Sequence, residues 1–275
     1  ERERLSALTS YLSGKHKILV VSADGLVQKF SKPNLFDKFT SKVHIEDFIA
    51  PSTLADNLAK AGYTRVDAIA EIGDFALRGD IIDVYSADGR AYRIDFFDEM
   101  VEEIKEINLE EMVSVGTYNS LSIPPNGDLI VDSYCADILK EKLTAIGEKS
   151  KVNPESIREG VLDNEFIWAI PFAGDNYVLS YMGYAPADEP EVLVYVIIDE
   201  PKPCHEKINI LGKEFGGRLK HLVEDDEVLP CHIDAVINLN EVKRQLLLRR
   251  KVSFTALALS NPMFDPQTLI EPRCI

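Results

Sequence analysis

Asp199 and Glu200 close the apolar run VIIDEP, and an acidic pair at a strand end can hold magnesium and an attacking water beside a nucleotide phosphate. That chemistry also needs a cradle of backbone amides and a lysine, G-x-x-x-x-G-K-[ST], and no such string occurs. Ser13-Gly14-Lys15 lacks the first glycine and the following hydroxyl. The pair therefore reads as an ordinary strand end. Cys204-His205 and Cys231-His232 are good zinc ligands by type, but adjacent Cys and His seldom converge on one ion and the usual ligand spacing is missing. Glu224, Asp225, Asp226 and Glu227 read as a solvated turn rather than a calcium loop. For a serine nucleophile, neither G-x-S-x-G nor S-x-x-K is present. The expectation is a chain without catalysis, cofactor or metal.

Recognition chemistry is a better fit to one segment. In AYRIDFF, residues 91–97, period-two alternation places Arg93, Asp95 and Phe97 on one face if Ile94 and Phe96 face the core. An exposed aromatic beside an arginine is the composition of an interface hot spot. Arg78, just before Gly79, joins the same surface. On this reading the two guanidiniums pair with carboxylates of a partner, and replacing Arg78, Arg93 or Phe97 by Ala shifts stability by about 0.5 kcal/mol or less. The alternative is a sheet covered on both sides, with one Phe packed on each.

The elements that must position these residues follow from pattern. Leu5, Leu8 and Leu12 form one stripe of an amphipathic helix that Gly14 stops. KILVVSAD, 17–24, reads as a buried parallel strand. Residues 52–62 read as a helix with a Ser52 or Thr53 cap, Leu54 and Leu58 on its inner face and Gly62 at its end. Between 64 and 108, period-two segments alternate with Gly73, Gly79, Asp88-Gly89 and Asp98-Glu99, the pattern of an antiparallel meander with tight turns. A connector at 122–131 runs into a strand, 132–147 is helical, and 150–175 is irregular. VLVYVIIDEP reads as a second buried strand, then a helix broken at Gly216-Gly217, a helix at NLNEVKRQLLLRRK and a strand at SFTALALS.

The bulk numbers bound the function. At roughly 150 residues per domain, 275 residues make about two domains. Lys plus Arg number 30 against 46 Asp plus Glu, a net charge of −16, which repels phosphate and disfavours unaided binding to duplex DNA or an anionic membrane. The longest apolar run, VLVYVII at 192–198, is far short of the roughly 20 residues that span a bilayer. Four scattered cysteines and the charged opening ERER fit a reduced, cytoplasmic protein. The abrupt start and stop suggest a piece of a larger polypeptide.

The string GYTRVDAIAEIGDFALRGDIIDVY, followed by YRIDFFDEMVEEI, resembles the second domain of the UvrB-homology module of the transcription-repair coupling factors, the Mfd family. RLSALTSYLSGKHKILVVSADGLVQKF resembles the end of that module's first subdomain, SIPPNGDLIVD its exit from the β domain, and VIIDEP with KVSFTALALSNPMFDPQ its following subdomain. The G-[DE]-F-A-x-R-G-x-I-I-D string is the most specific of these, and the match covers most of the chain.

The resemblance implies an α/β fold of incomplete helicase-like subdomains flanking a small, mainly antiparallel β domain: 1–50 the end of subdomain 1a, 51–124 the β domain, 125–275 a 1b-like region. It further implies that the β domain binds the damage-recognition protein UvrA, with the family's contact residues falling on Arg78, Arg93 and Phe97. RNA polymerase and double-stranded DNA would be bound by domains outside this chain. Two departures stand out. The first third of the family module has no counterpart here, and residues 177–203 look closer to a strand pair of penicillin-binding transpeptidases, whose S-x-x-K, S-x-N and K-T-G motifs are all missing. The competing assignments are an excision-repair UvrB fragment, disfavoured by the lack of an aromatic-rich DNA-clamping hairpin, and a transpeptidase fragment.

Overall fold

The computed structural model describes residues 2–12, 18–111, 113–177 and 195–255. In chain order, α1 spans Arg2–Leu12, α2 Ala23–Leu26 and α3 Pro33–Lys38, followed by β1 (Ser41–His44) and α4 (Pro51–Lys60). Six strands come next: β2 (Thr64–Arg65), β3 (Asp74–Arg78), β4 (Ile81–Tyr85), β5 (Ala91–Phe97), β6 (Met100–Asn108) and β7 (Val113–Thr117). Then follow β8 (Ser120–Ile123), β9 (Ile130–Val131), α5 (Ser133–Ile146) and β10 (Gly160–Val161). The last elements are β11 (Tyr195–Asp199), α6 (Pro201–Glu224), α7 (Leu239–Leu247) and β12 (Arg250–Phe254). The chain divides into two units, one of Glu1–Leu19 with Ser31–Tyr177, the other of Val20–Phe30 with Val178–Ile275.

The first unit is organised by the six strands, which lie side by side in sequence order, antiparallel except for the short β2 against β3. Strand alternation gives this sheet one apolar face: Phe75, Ile82, Val84, Tyr92, Ile94, Phe96, Val101 and Ile104 are buried together with Leu54, Ala55 and Leu58 of α4. Val43 of β1 and Leu121 and Ile123 of β8 complete the same core. The turns are where the sequence puts glycine and short polar residues. Gly79 (φ 60) bends β3 into β4, Gly89 (φ 85) serves the β4–β5 loop, and Asp98 (φ 58) starts the return into β6.

A second cluster in this unit packs α5 against the turns that follow it. Asp132 caps α5 by accepting from the Cys135 amide at 2.7 Å, and Leu139 and Leu143 meet Ile157, Leu162, Phe166 and Ala169. Gly160 (φ 123) joins this region to α4, since a Cβ there would stand 2.4 Å from the Lys60 carbonyl oxygen. Only glycine fits that approach.

In the second unit β11 and β12 pair in parallel, and Ile198, Ile208, Val242, Leu246 and Val27 form its core. Asn238 caps α7 by accepting from the Glu241 amide at 3.0 Å.

Four local expectations are corrected. Residues 18–22 form no strand; Ile18 and Val20 are exposed, because no described strand lies beside them to pair with. The helix after residue 50 is not capped by Ser52 or Thr53: Ala50 holds the cap position with Pro51 at the first helical position, where a missing N–H costs nothing. α6 runs unbroken through Gly216-Gly217, the roughly 1 kcal/mol helix penalty per glycine being outweighed by the long flanking turns. β11 is half-covered rather than buried, Ile198 facing in and Ile197 out. The expected strand at 253–260 enters the described residues only through β12, and 178–194, most of the transpeptidase-like stretch, lies outside them.

Candidate functional site

The face of the six-stranded sheet opposite the apolar core is built by register. Ala76, Asp83, Arg93, Lys105 and Thr117 stand directly across from one another on β3 to β7. One step along, Arg78, Ile81, Asp95 and Glu103 form the next row. Arg93 and Lys105 are therefore like charges on paired positions, an arrangement that destabilises a sheet unless carboxylates intervene. They do.

Asp83 is 1% exposed, the most deeply buried carboxylate of this face. Arg93 grips it in bidentate fashion, Nε donating to Oδ1 at 2.7 Å and Nη2 to Oδ2 at 2.9 Å. Arg78 donates from Nη2 to the same Oδ2 from the other side. The Asp83 bonds raise the Arg93 pKa above its ordinary value, so the guanidinium is held charged and in place. Lys105 turns the other way, to Glu103 at 2.6 Å and Asp95 at 3.0 Å, and these bonds raise its pKa in turn. Arg78 keeps half its side chain in solvent while Arg93 keeps about a quarter.

Phe97 ends this face. Phe96 is 5% exposed and Phe97 68%, which is the facing that alternation from Ile94 requires. A register shift between Asp95 and Phe96 leaves Glu102 as the extra residue on β6. The structure thus brings Arg78 and Arg93 together on one carboxylate and places Phe97 four residues along β5, about 13 Å from Arg93 at the usual strand rise.

Sequence reasoning missed Asp83. It closes the G-D-F-A-L-R-G-D-I-I-D string and alternates onto the Arg93 face, but only the cross-strand pairing of β4 with β5 sets it under the guanidinium. The expectation that Arg93→Ala is nearly neutral is corrected for the same reason, since that substitution would leave the buried Asp83 with only the half-exposed Arg78 as counter-ion. Among the described residues no group of three or more His, Cys, Asp or Glu side chains could hold a metal ion.

Residues 42–128 match the family described as the UvrB interaction domain. The chain is 26% identical over 246 residues to the transcription-repair-coupling factor of Bacillus subtilis, covering 82% of this chain and 20% of that protein. It is 26% identical over 178 residues to the Rickettsia bellii protein of that name, 64% of this chain and 16% of the relative. For Staphylococcus aureus MSSA476 the figures are 26% over 149 residues, 54% and 13%. The chain spans a fifth or less of the length of these relatives. Residues 42–128, which contain Asp83, both arginines and Phe97, are thus the segment that matches the UvrB interaction domain, within a chain similar to the transcription-repair-coupling factors.

Proposed function

We propose that this chain is a non-catalytic, UvrB-like adaptor that recruits UvrA in transcription-coupled nucleotide excision repair. The observation that carries the reading is Phe97, an aromatic 68% exposed at the end of a strand that also presents Arg93, inside the matched domain. An apolar ring left in water is a standing incentive to bind, and a rigid sheet presents it at little entropic loss. Arg78 and Arg93, both held on Asp83, supply oriented N–H donors on the same sheet face, Arg93 four residues before Phe97 on β5. In this reading 51–124 is the UvrA-binding domain, while 1–50 and 125–275 are remnants of helicase-like subdomains that keep shape without ATP hydrolysis. The setting is the cytoplasm, and no helix among the described residues is long and apolar enough to cross a membrane. RNA polymerase and double-stranded DNA belong to the activity of the whole protein, through regions beyond these residues.

The test is the affinity of the chain for UvrA, measured by titration, for the parent and for Phe97→Ala. Truncating a hot-spot aromatic should weaken binding about thirtyfold or more while leaving thermal unfolding unchanged. Equal affinities for two equally folded proteins would end the proposal.

A further inference from the structure

Phe48 lies outside the six-stranded sheet, in the segment between β1 and α4, and it is 82% exposed. That segment runs beside the start of β6. The Ile49 amide donates to the Glu99 carbonyl at 2.8 Å and the Val101 amide to the Asp47 carbonyl at 2.9 Å, which makes Phe48 and Met100 an antiparallel pair without direct hydrogen bonds between them. Such pairs have the shorter Cα separation, about 4.5 Å, and the closest side chains. Met100 in turn is the partner of Phe97 across the β5–β6 turn. Residues directly opposite one another share a face, so Phe48, Met100 and Phe97 form one apolar row across three chain segments, both of its ends aromatic and in water.

The surroundings of the row differ from those of the arginines. Glu46, Asp98 and Glu99 are exposed at its margin, and none of the three is in an ion pair among the described residues. The two guanidiniums converge on the one Asp83 carboxylate instead, and Arg93 stands four residues from Phe97 along β5. The uncompensated charge next to the apolar row is thus negative.

We infer that Phe48 and Met100 extend the UvrA-docking surface beyond Phe97, and that the UvrA face covering this row is an apolar patch rimmed by Lys or Arg opposite Asp98, Glu99 and Glu46. This rests on the adaptor reading above and names the chemistry of its partner face. Two phenyl rings bury on the order of 150–250 Å² each, enough for a hot spot at the centre of an ordinary interface. The acidic margin steers a basic partner and makes association salt-dependent.

The experiment uses the 275-residue chain and purified UvrA, with affinity measured at low and at physiological salt. The variants are Phe48→Ala, Phe97→Ala and the double variant Asp98→Asn with Glu99→Gln, each checked for an unchanged thermal midpoint. The expected result is about tenfold or greater loss for Phe48→Ala, and a shallower salt dependence for the double variant. Parent-like binding by Phe48→Ala together with loss by Phe97→Ala would overturn this inference and leave the adaptor reading standing. Parent-like binding by both would overturn the adaptor reading and this one with it. A double variant with undiminished salt dependence would overturn the basic partner face.

Discussion

β5 and β11 are both short, apolar-rich strands, and the chain treats them differently. β5 is flanked by β4 and β6 on both edges and backed by α4, so Tyr92, Ile94 and Phe96 are sealed on one face while Arg93, Asp95 and Phe97 stand on the other. β11 has β12 as its one strand neighbour among the described residues, and Ile197, in the middle of the most apolar run of the sequence, is 67% exposed. Hydrophobicity was higher in the strand that is less buried. What decides burial is the number of elements available to cover a face, and that number comes from the rest of the fold.

The largest effect that tests this contrast is Phe96→Ala. It should destabilise the chain by roughly 3–5 kcal/mol in denaturant unfolding, the range for deleting a buried phenyl. A small loss there, with Phe97→Ala unfolding the domain instead, would invert the facing of β5.

Next comes the buried carboxylate. Arg93→Ala should cost about 3 kcal/mol, because it leaves Asp83 buried with only the half-exposed Arg78 as counter-ion. Adding Asp83→Asn removes the stranded charge and should return part of that loss. If the second substitution makes matters worse by its full single-variant amount, the two residues are not coupled.

The third test is alkaline pH. Tyr63 donates to the Pro124 carbonyl at 2.7 Å and accepts from the Ala87 amide, tying the end of α4 to the connector after β8, and burial pushes its pKa up to about 12. The folded value lies above the unfolded value near 10, so the phenol's contribution is complete below pH 10 and lost as pH rises through 12. Stability should therefore fall by about 2–3 kcal/mol across that window, and Tyr63→Phe should remove this limb of the pH profile. An unchanged profile in Tyr63→Phe would assign the loss to other groups.

The smallest effect belongs to β11. Ile197→Ser should change stability by about 0.5 kcal/mol or less, as expected of an exposed position. A loss of several kcal/mol would show that this face is covered after all and would dissolve the contrast with β5.

Much of the β domain was legible because its determinants are local. The alternation of AYRIDFF, the turn residues at 79, 89 and 98, and the Leu54–Leu58 stripe of α4 each depend on residues a few positions apart. The errors were also local signals, overruled from outside. ILVVS at 18–22 has the composition of a strand and no neighbour to pair with among the described residues, and Gly216-Gly217 has the composition of a break inside a helix long enough to ignore it.

The outward facing of Arg93 and Phe97 was thus determined by the sequence itself, since a strand whose even positions are apolar has little choice about its odd ones. Three things were decided only by the tertiary structure: that Asp83 lies beneath two guanidiniums, that Lys105 is drawn away to Asp95 and Glu103, and that Phe48 joins Met100 and Phe97 in one row. Each depends on which strands are neighbours and in what register. Register is fixed by the summed packing of a whole face, because a slip of one residue would turn every apolar side chain of the strand toward water.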